Sequence, residues 1–194
     1  TAPPAVTNAT TDEDLANITI ASGANIILNN STVPNSFAGS IGTAIGTLGG
    51  YSDFTGFGPF ALSKGSSYTF TLTSATAGGN FGNAFAIYID YNRNGVFTDA
   101  GEQVYTSPAT ISGPHSRNGS FTVPASASFG STRMRVINNE GLITSPTQIV
   151  GYGEYEEYTL NITPNFTSYS WTDGTSIVGT TNPLSVSPSS STYY

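Results

Sequence analysis

Ser67-Tyr68-Thr69-Phe70-Thr71-Leu72-Thr73 alternates strictly between polar and apolar side chains. Successive side chains of an extended chain point to opposite faces. The stretch therefore puts Tyr68, Phe70 and Leu72 on one face and its hydroxyl groups on the other, which predicts a half-buried strand. Downstream, Ala84 to Tyr91 (AFAIYIDY) reads as a strand buried on one face and nearly so on the other. Gly119-Ser120-Phe121-Thr122-Val123-Pro124 is a strand stopped by proline. Thr132 to Ile137 alternates again, and Tyr155 to Thr163 sends Tyr158, Leu160 and Ile162 one way. Upstream, Asn17 to Ile20 and Asn25 to Asn29 are short strands; Asp12-Glu13-Asp14 has the composition to open a helical turn, but the alternation that soon follows it is that of a strand. The Gly-rich stretch 36–50 is expected to be irregular. Strands separated by turn clusters predict an all-β fold, an antiparallel β-sandwich of jelly-roll or Ig-like type. Its core is expected to hold Phe85, Ile87, Ile89, Met134, Val136, Leu160 and Ile162.

Composition narrows the function. Only 9% of the 194 residues are charged, against about 25% in an average globular protein, yet 12% are aromatic, enough to build a core. The net charge is −7 and the basic residues are Lys64, Arg93, Arg117, Arg133 and Arg135. No basic patch can form, which argues against nucleic-acid binding. No apolar run reaches ~18 residues, so no membrane-spanning helix is predicted. The absence of Cys removes thiolate metal sites, Cys nucleophiles and disulfides. Low Lys with abundant Ser, Thr, Asn and Gly suggests an extracellular or bacterial cell-surface protein. A start at Thr1 suggests a mature or trimmed product.

Asp90-Tyr91-Asn92-Arg93-Asn94-Gly95-Val96 is the sharpest motif, running on through Asp99 to Glu102. Oxygen-bearing side chains at alternate positions followed by Gly form the first half of a calcium loop. Asp90, Asn92 and Asn94 would aim inward, Gly95 would supply the bend and Val96 its carbonyl. Glu102 would close the loop at position 13 rather than the usual 12, so the motif is not an EF-hand. A solvated, Asx-rich hairpin turn is the alternative, since Asn-Gly is a turn dipeptide in its own right. Gly153-Glu154-Tyr155-Glu156-Glu157-Tyr158 gathers three carboxylates into four positions, with Glu154 and Glu156 on one strand face and Glu157 on the other. It reads as an acidic, edge-protecting strand start or as a set whose repulsion a divalent cation would relieve.

Five stretches in order resemble the GEVED domain of secreted and surface proteins of Bacteroidetes. They are Tyr51-Ser52-Asp53-Phe54-Thr55, the run from Ile89 to Glu102, Phe121-Thr122-Val123-Pro124, Thr132-Arg133-Met134-Arg135-Val136 and the run from Gly153 to Leu160. The resemblance covers about residues 15–163 and implies a non-catalytic β-sandwich accessory module. It strengthens the calcium reading, with Asp53 and Glu154 as further candidate ligands of the loop. The chain departs from the family in carrying Glu157 where Asp is usual and in lacking a Cys often found before the motif. Residues 164–194, through Tyr169-Ser170-Trp171 and Ser191-Thr192-Tyr193-Tyr194, resemble part of an Ig-like repeat, in which Trp171 would be a core residue. Residues 1–14 form an extended arm, and Thr1-Ala2-Pro3-Pro4 is similar to the opening of the same repeat.

His115 reads as a surface turn, and Arg133 and Arg135 as partners of carboxylates. No nucleophile elbow and no phosphate loop occur, so the chain is not expected to be an enzyme. The expectation is a calcium-stabilised structural and adhesive module that forms a homo-oligomer or polymer by strand exchange. The tail from Asn165 to Tyr194 is too apolar for water and too short for a core of its own, and the arm 1–11 would complete it in a neighbouring copy. The alternative is a carbohydrate-binding module presenting Tyr51, Tyr105, Tyr152 and Tyr155 to a glycan.

Overall fold

Strict alternation becomes pairing in the structure, a computed structural model that describes residues 13–31, 50–75, 79–165, 170–172 and 175–180. The strands in chain order are β1 (Asp14–Ser22), β2 (Asn25–Ser31), β3 (Tyr51–Phe54), β4 (Phe60–Ser63), β5 (Ser67–Ala75), β6 (Gly82–Ile89), β7 (Gln103–Thr106), β8 (Ile111–Ser112), β9 (Ser116–Thr122), β10 (Gly130–Glu140), β11 (Gly153–Thr163), β12 (Trp171–Thr172) and β13 (Ile177–Gly179). The chain divides into two compact units, Thr1–Thr163 and Pro164–Tyr194. No helix occurs among the described residues. Of the two readings at 12–14 the strand holds at the described end, where Asp14 pairs with Ala75 as the first residue of β1.

The first unit is a sandwich. Its four-stranded sheet runs β2-β1-β5-β9 and is antiparallel throughout. The larger sheet runs β3-β11-β10-β6-β7, with β4 also on β11 and β8 also on β6. The antiparallel expectation needs one amendment: β3 and β4 lie one after the other along β11 and parallel to it. Between the sheets, Ile18, Ile20, Tyr68, Phe70 and Leu72 meet Phe85, Ile87, Ile89, Met134, Val136, Leu160 and Ile162 in one buried cluster. The outer face of the smaller sheet is a grid of hydroxyl and amide groups joined across strands, as in Asn17 to Asn29 (2.9 Å) and Thr71 to Asn118 (2.9 Å).

The outer face of the larger sheet is covered by the loops 91–101 and 141–152. Phe97, Ile143 and Val150 pack there on Ala86, Tyr88, Ile137 and Tyr155. This second cluster explains why β6 is apolar on both faces. The second unit contributes the antiparallel pair β12–β13. Trp171 is 37% exposed there, where the Ig-like pattern implied a core position. The arm 1–12, the glycine-rich stretch 32–49 and the tail residues Phe166, Tyr169, Leu184, Val186, Tyr193 and Tyr194 lie outside the described residues.

Candidate functional site

The loop between β6 and β7 is anchored at both ends. The Ile89 amide donates to the Glu102 carbonyl (2.9 Å), and the Asp90 amide donates to the Arg133 carbonyl (3.1 Å). Between these anchors the carboxylates draw the backbone inward. Asp90 accepts from the amides of Asn94 (3.1 Å) and Gly95 (2.9 Å) through its two oxygens. Asn92 accepts from the Asn94 amide and Asn94 from the Val96 amide, each at 3.0 Å. Glu102 closes the loop by accepting from the amides of Asn92 and Asp99, each at 3.4 Å. Gly95 takes φ 85°, the left-handed bend for which glycine is suited, and Arg93 takes φ 65°.

Asp99 completes the set and was missed in the sequence. Its Oδ2 accepts from the side-chain amides of Asn92 (2.7 Å) and Asn94 (2.6 Å), which hold its carboxyl below the usual range. Burial pushes Glu102 up, and the charges of Asp90 and Asp99 add to that rise. The one basic side chain within the loop, Arg93, bonds instead to the Phe129 carbonyl (2.6 Å). The donor set is oxygen only, with mutually repelling carboxylates, which is the chemistry of a hard cation site. Among the described residues no three acidic or His side chains surround a single point as a finished metal cage would. The carboxylates of Asp90 and Glu102 satisfy backbone amides instead, and that of Asp99 the side-chain amides of Asn92 and Asn94.

Asp53 and Glu154 lie away from this loop. Asp53 on β3 sits opposite Glu157, which sits opposite Arg135 and then Tyr88 of β6, so roughly three strand spacings, or ~14 Å, separate it from the base of the loop. Burial raises Asp53, but hydrogen bonds from Thr55 and the charge of Arg133 outweigh that and leave its carboxyl below the usual range. Glu154 is two strands from Phe85, and Asp90 is a further five residues along, roughly 16 Å down the sheet. It faces the sandwich interior, where it accepts from the Leu15 amide (3.2 Å) and the Ser52 hydroxyl.

The alternation within Gly153–Tyr158 sorts its carboxylates to opposite faces. Glu156 faces inward and accepts from the Tyr158 hydroxyl (2.6 Å). Glu157 faces outward and holds Arg135, whose Nη2 and Nε both donate to Oε1 (2.6 and 3.0 Å). Arg133 donates to its other oxygen (2.9 Å). Arg135 is fully buried, donates to the Pro146 carbonyl (2.7 Å) and lies against the rings of Phe97 (4.7 Å) and Tyr155 (5.7 Å). It therefore ties the β6–β7 loop, the 141–152 loop and the sheet together. Gly153 opens the motif with φ 144°, and a Cβ there would run into the Asn138 carbonyl, so the position requires glycine.

The tyrosines proposed as a glycan platform do not converge. Tyr155 is fully buried, Tyr105 packs inward on Phe70 (4.8 Å), Tyr51 is half-buried on Glu157, and Tyr152 is exposed. His115 is half-buried rather than a surface turn. Its ring packs on Phe85 (5.2 Å) and its Nδ1 lies 3.0 Å from the Gly113 carbonyl.

Fold and site together define a two-sheet β-sandwich with an oxygen-rich loop at one sheet end. Within it, residues 84–161 match the family model described as the GEVED domain. That span runs from β6 into β11 and holds the acidic loop, Arg135 and the Gly153–Tyr158 motif. No curated protein matches the chain. Among solved structures, a Niemann-Pick type C2 protein from the Japanese carpenter ant is similar at a TM-score of 0.37 and 7% identity, over 79% of this chain and 95% of that one. Among the described residues no helix is long and apolar enough to cross a membrane.

Proposed function

We propose that the chain is a non-catalytic, calcium-stabilised structural and adhesive module of an extracellular surface protein. The observation that carries this reading is the gathering of Asp90, Asp99 and Glu102 with Asn92 and Asn94 in one loop anchored on a rigid sheet. Those side chains, with the Val96 carbonyl, would hold the cation, which would neutralise the carboxylates and fix the loop. Phe97 then transmits the fixed geometry to Arg135 and the outer cluster. Binding to the native state alone stabilises by RT ln(1 + [L]/Kd), about 2.7 kcal/mol at a hundredfold excess over Kd. Chelation should lower the melting temperature, and Asp90→Ala should abolish most of that response. Identical melting with chelator and with calcium would rule the site out.

Assembly is the second half of the proposal. The apolar character of residues 165–194 and the likeness between the arm 1–11 and the opening of the same Ig-like repeat support strand donation between copies. Donation from head to tail builds a filament unless the rotation closes a ring. Deleting residues 1–11 should leave a folded monomer by light scattering. A truncated chain that still polymerises would overturn the donated arm.

A further inference from the structure

The tripeptide Arg-Asn-Gly occurs twice in the chain, as Arg93-Asn94-Gly95 and as Arg117-Asn118-Gly119. An asparagine followed by glycine can cyclise. The glycine nitrogen attacks the side-chain carbonyl carbon, and the missing Cβ leaves that approach open. Asn94 and Asn118 are both exposed, so access of water does not distinguish them. Their surroundings do.

Asn118 and Gly119 lie within β9, in register with Thr71 and Phe70 of β5. The Asn118 side-chain oxygen accepts from the Thr71 hydroxyl (2.9 Å), which holds the carboxamide on the neighbouring strand. The Phe70 ring lies against Gly119. Closing a five-membered ring would rotate the main chain at Asn118 out of the extended conformation, so the strand pairing would have to break first.

Asn94 and Gly95 lie in the β6–β7 loop, outside the described ladders. Here the groups that the reaction needs are already in contact. The Gly95 amide, the nucleophile, donates to Asp90 Oδ2 (2.9 Å), a carboxylate placed to take its proton. Asn94 Oδ1, where negative charge develops, accepts from the Val96 amide (3.0 Å). Asn94 Nδ2, the leaving group, donates to Asp99 Oδ2 (2.6 Å), so both ends of the carboxamide are fixed.

We propose that Asn94–Gly95 is a self-modifying site of the folded protein, with Asp90 as its general base. The Gly95 nitrogen bonds to Asn94 Cγ and gives its proton to Asp90. The Cγ–Nδ2 bond then breaks, and Nδ2 takes that proton and departs as ammonia. Water opens the cyclic imide. Opening at Cγ leaves aspartate at position 94, and opening at the main-chain carbonyl leaves isoaspartate. Nothing is oxidised or reduced. In either product a carboxylate replaces the carboxamide that donated to Asp99, so the loop gains a negative charge beside Asp90, Asp99 and Glu102. The chemistry goes beyond the calcium reading and holds whether or not the loop takes a cation.

The test holds the full chain in chelator at mildly alkaline pH and follows both tripeptides by peptide mapping with mass spectrometry, which separates the aspartate and isoaspartate products. In the folded protein Asn94 should convert at least about tenfold faster than Asn118. In urea the structural difference is gone, and the two rates should agree within about twofold. Asp90→Asn should slow conversion at Asn94 at least about tenfold and leave Asn118 unchanged, with circular dichroism confirming the fold. Equal rates at the two sites in the folded protein would overturn the proposal, as would a lead of Asn94 that persists undiminished in urea. An Asp90→Asn protein that is folded and converts at the unmodified rate overturns it as well. The comparison between the two sites needs no variant, so it decides even where a substitution disturbs the loop.

Discussion

Removing Glu157 should damage the fold more than removing either arginine it holds. Arg135 is fully buried, and both of its bonds to a carboxylate end on Glu157. In Glu157→Met its guanidinium keeps the Pro146 carbonyl at 2.7 Å and the faces of Phe97 and Tyr155. Those contacts do not replace a counter-charge, and an uncompensated buried charge costs about 3–5 kcal/mol. The converse change is milder. In Arg135→Met, Glu157 still accepts from Arg133 (2.9 Å) and from the Tyr51 hydroxyl (3.1 Å), so the loss is about 1.5–3 kcal/mol, the worth of a charged hydrogen bond. Arg133 has a side chain 47% exposed, and Arg133→Ala should cost no more than about 1 kcal/mol. The double variant Arg135→Met/Glu157→Met replaces the pair with apolar groups and should be more stable than Glu157→Met alone. Urea unfolding followed by far-UV circular dichroism ranks the four variants. The reasoning fails if Glu157→Met is no worse than Arg133→Ala, or if the double variant loses the sum of the two single losses.

The parts of this molecule that were legible in the sequence are those governed by local spacing. Period-two alternation located β5, β10 and β11, a continuous apolar run located β6, and side-chain direction, fixed in a strand by its neighbours, named their inward residues. It also separated Glu157 from Glu154 and Glu156, and matched Arg133 and Arg135 to a carboxylate. The strands β3, β4 and β7 were illegible: each is four residues long, too short for a pattern, and β3 and β4 are held by parallel pairing to the distant β11. The same limit explains the site. Asp90, Asn92, Asn94 and Glu102 are hydrogen-bonded within one loop because local spacing dictates it, whereas the positions of Asp53 and Glu154 depend on sheet register, which spacing does not encode. Asp99 escaped notice because it falls outside the alternate-position rule; its signal was an acid three residues before the closing Glu102.

Three further outcomes are expected. Leu160→Ala should cost about 2–5 kcal/mol in the same assay, since Leu160 is fully buried between the sheets; a change within about 0.5 kcal/mol would contradict its place there. Gly153→Ala should cost about 2–5 kcal/mol, from a positive φ combined with a backbone collision at Asn138; unchanged stability would refute the account of the motif's glycine. The last concerns pH. Burial pushes Asp14 from 3.8 up to about 11, helped by the bond to Glu154 and by the charges of Glu154 and Glu156. The folded state therefore keeps a proton that the unfolded chain releases above about 4, so this group's contribution is complete below that pH and declines as pH rises toward 11, by at most about 1.36 kcal/mol per unit. In chelator, wild-type stability should fall between pH 5 and pH 8 relative to Asp14→Asn, which carries no titrating proton at that position. Groups remote from Asp14 are common to both proteins and cancel in the difference. Parallel stability curves for the two proteins would show that Asp14 ionises freely, and that its enclosure between the sheets imposes no electrostatic cost.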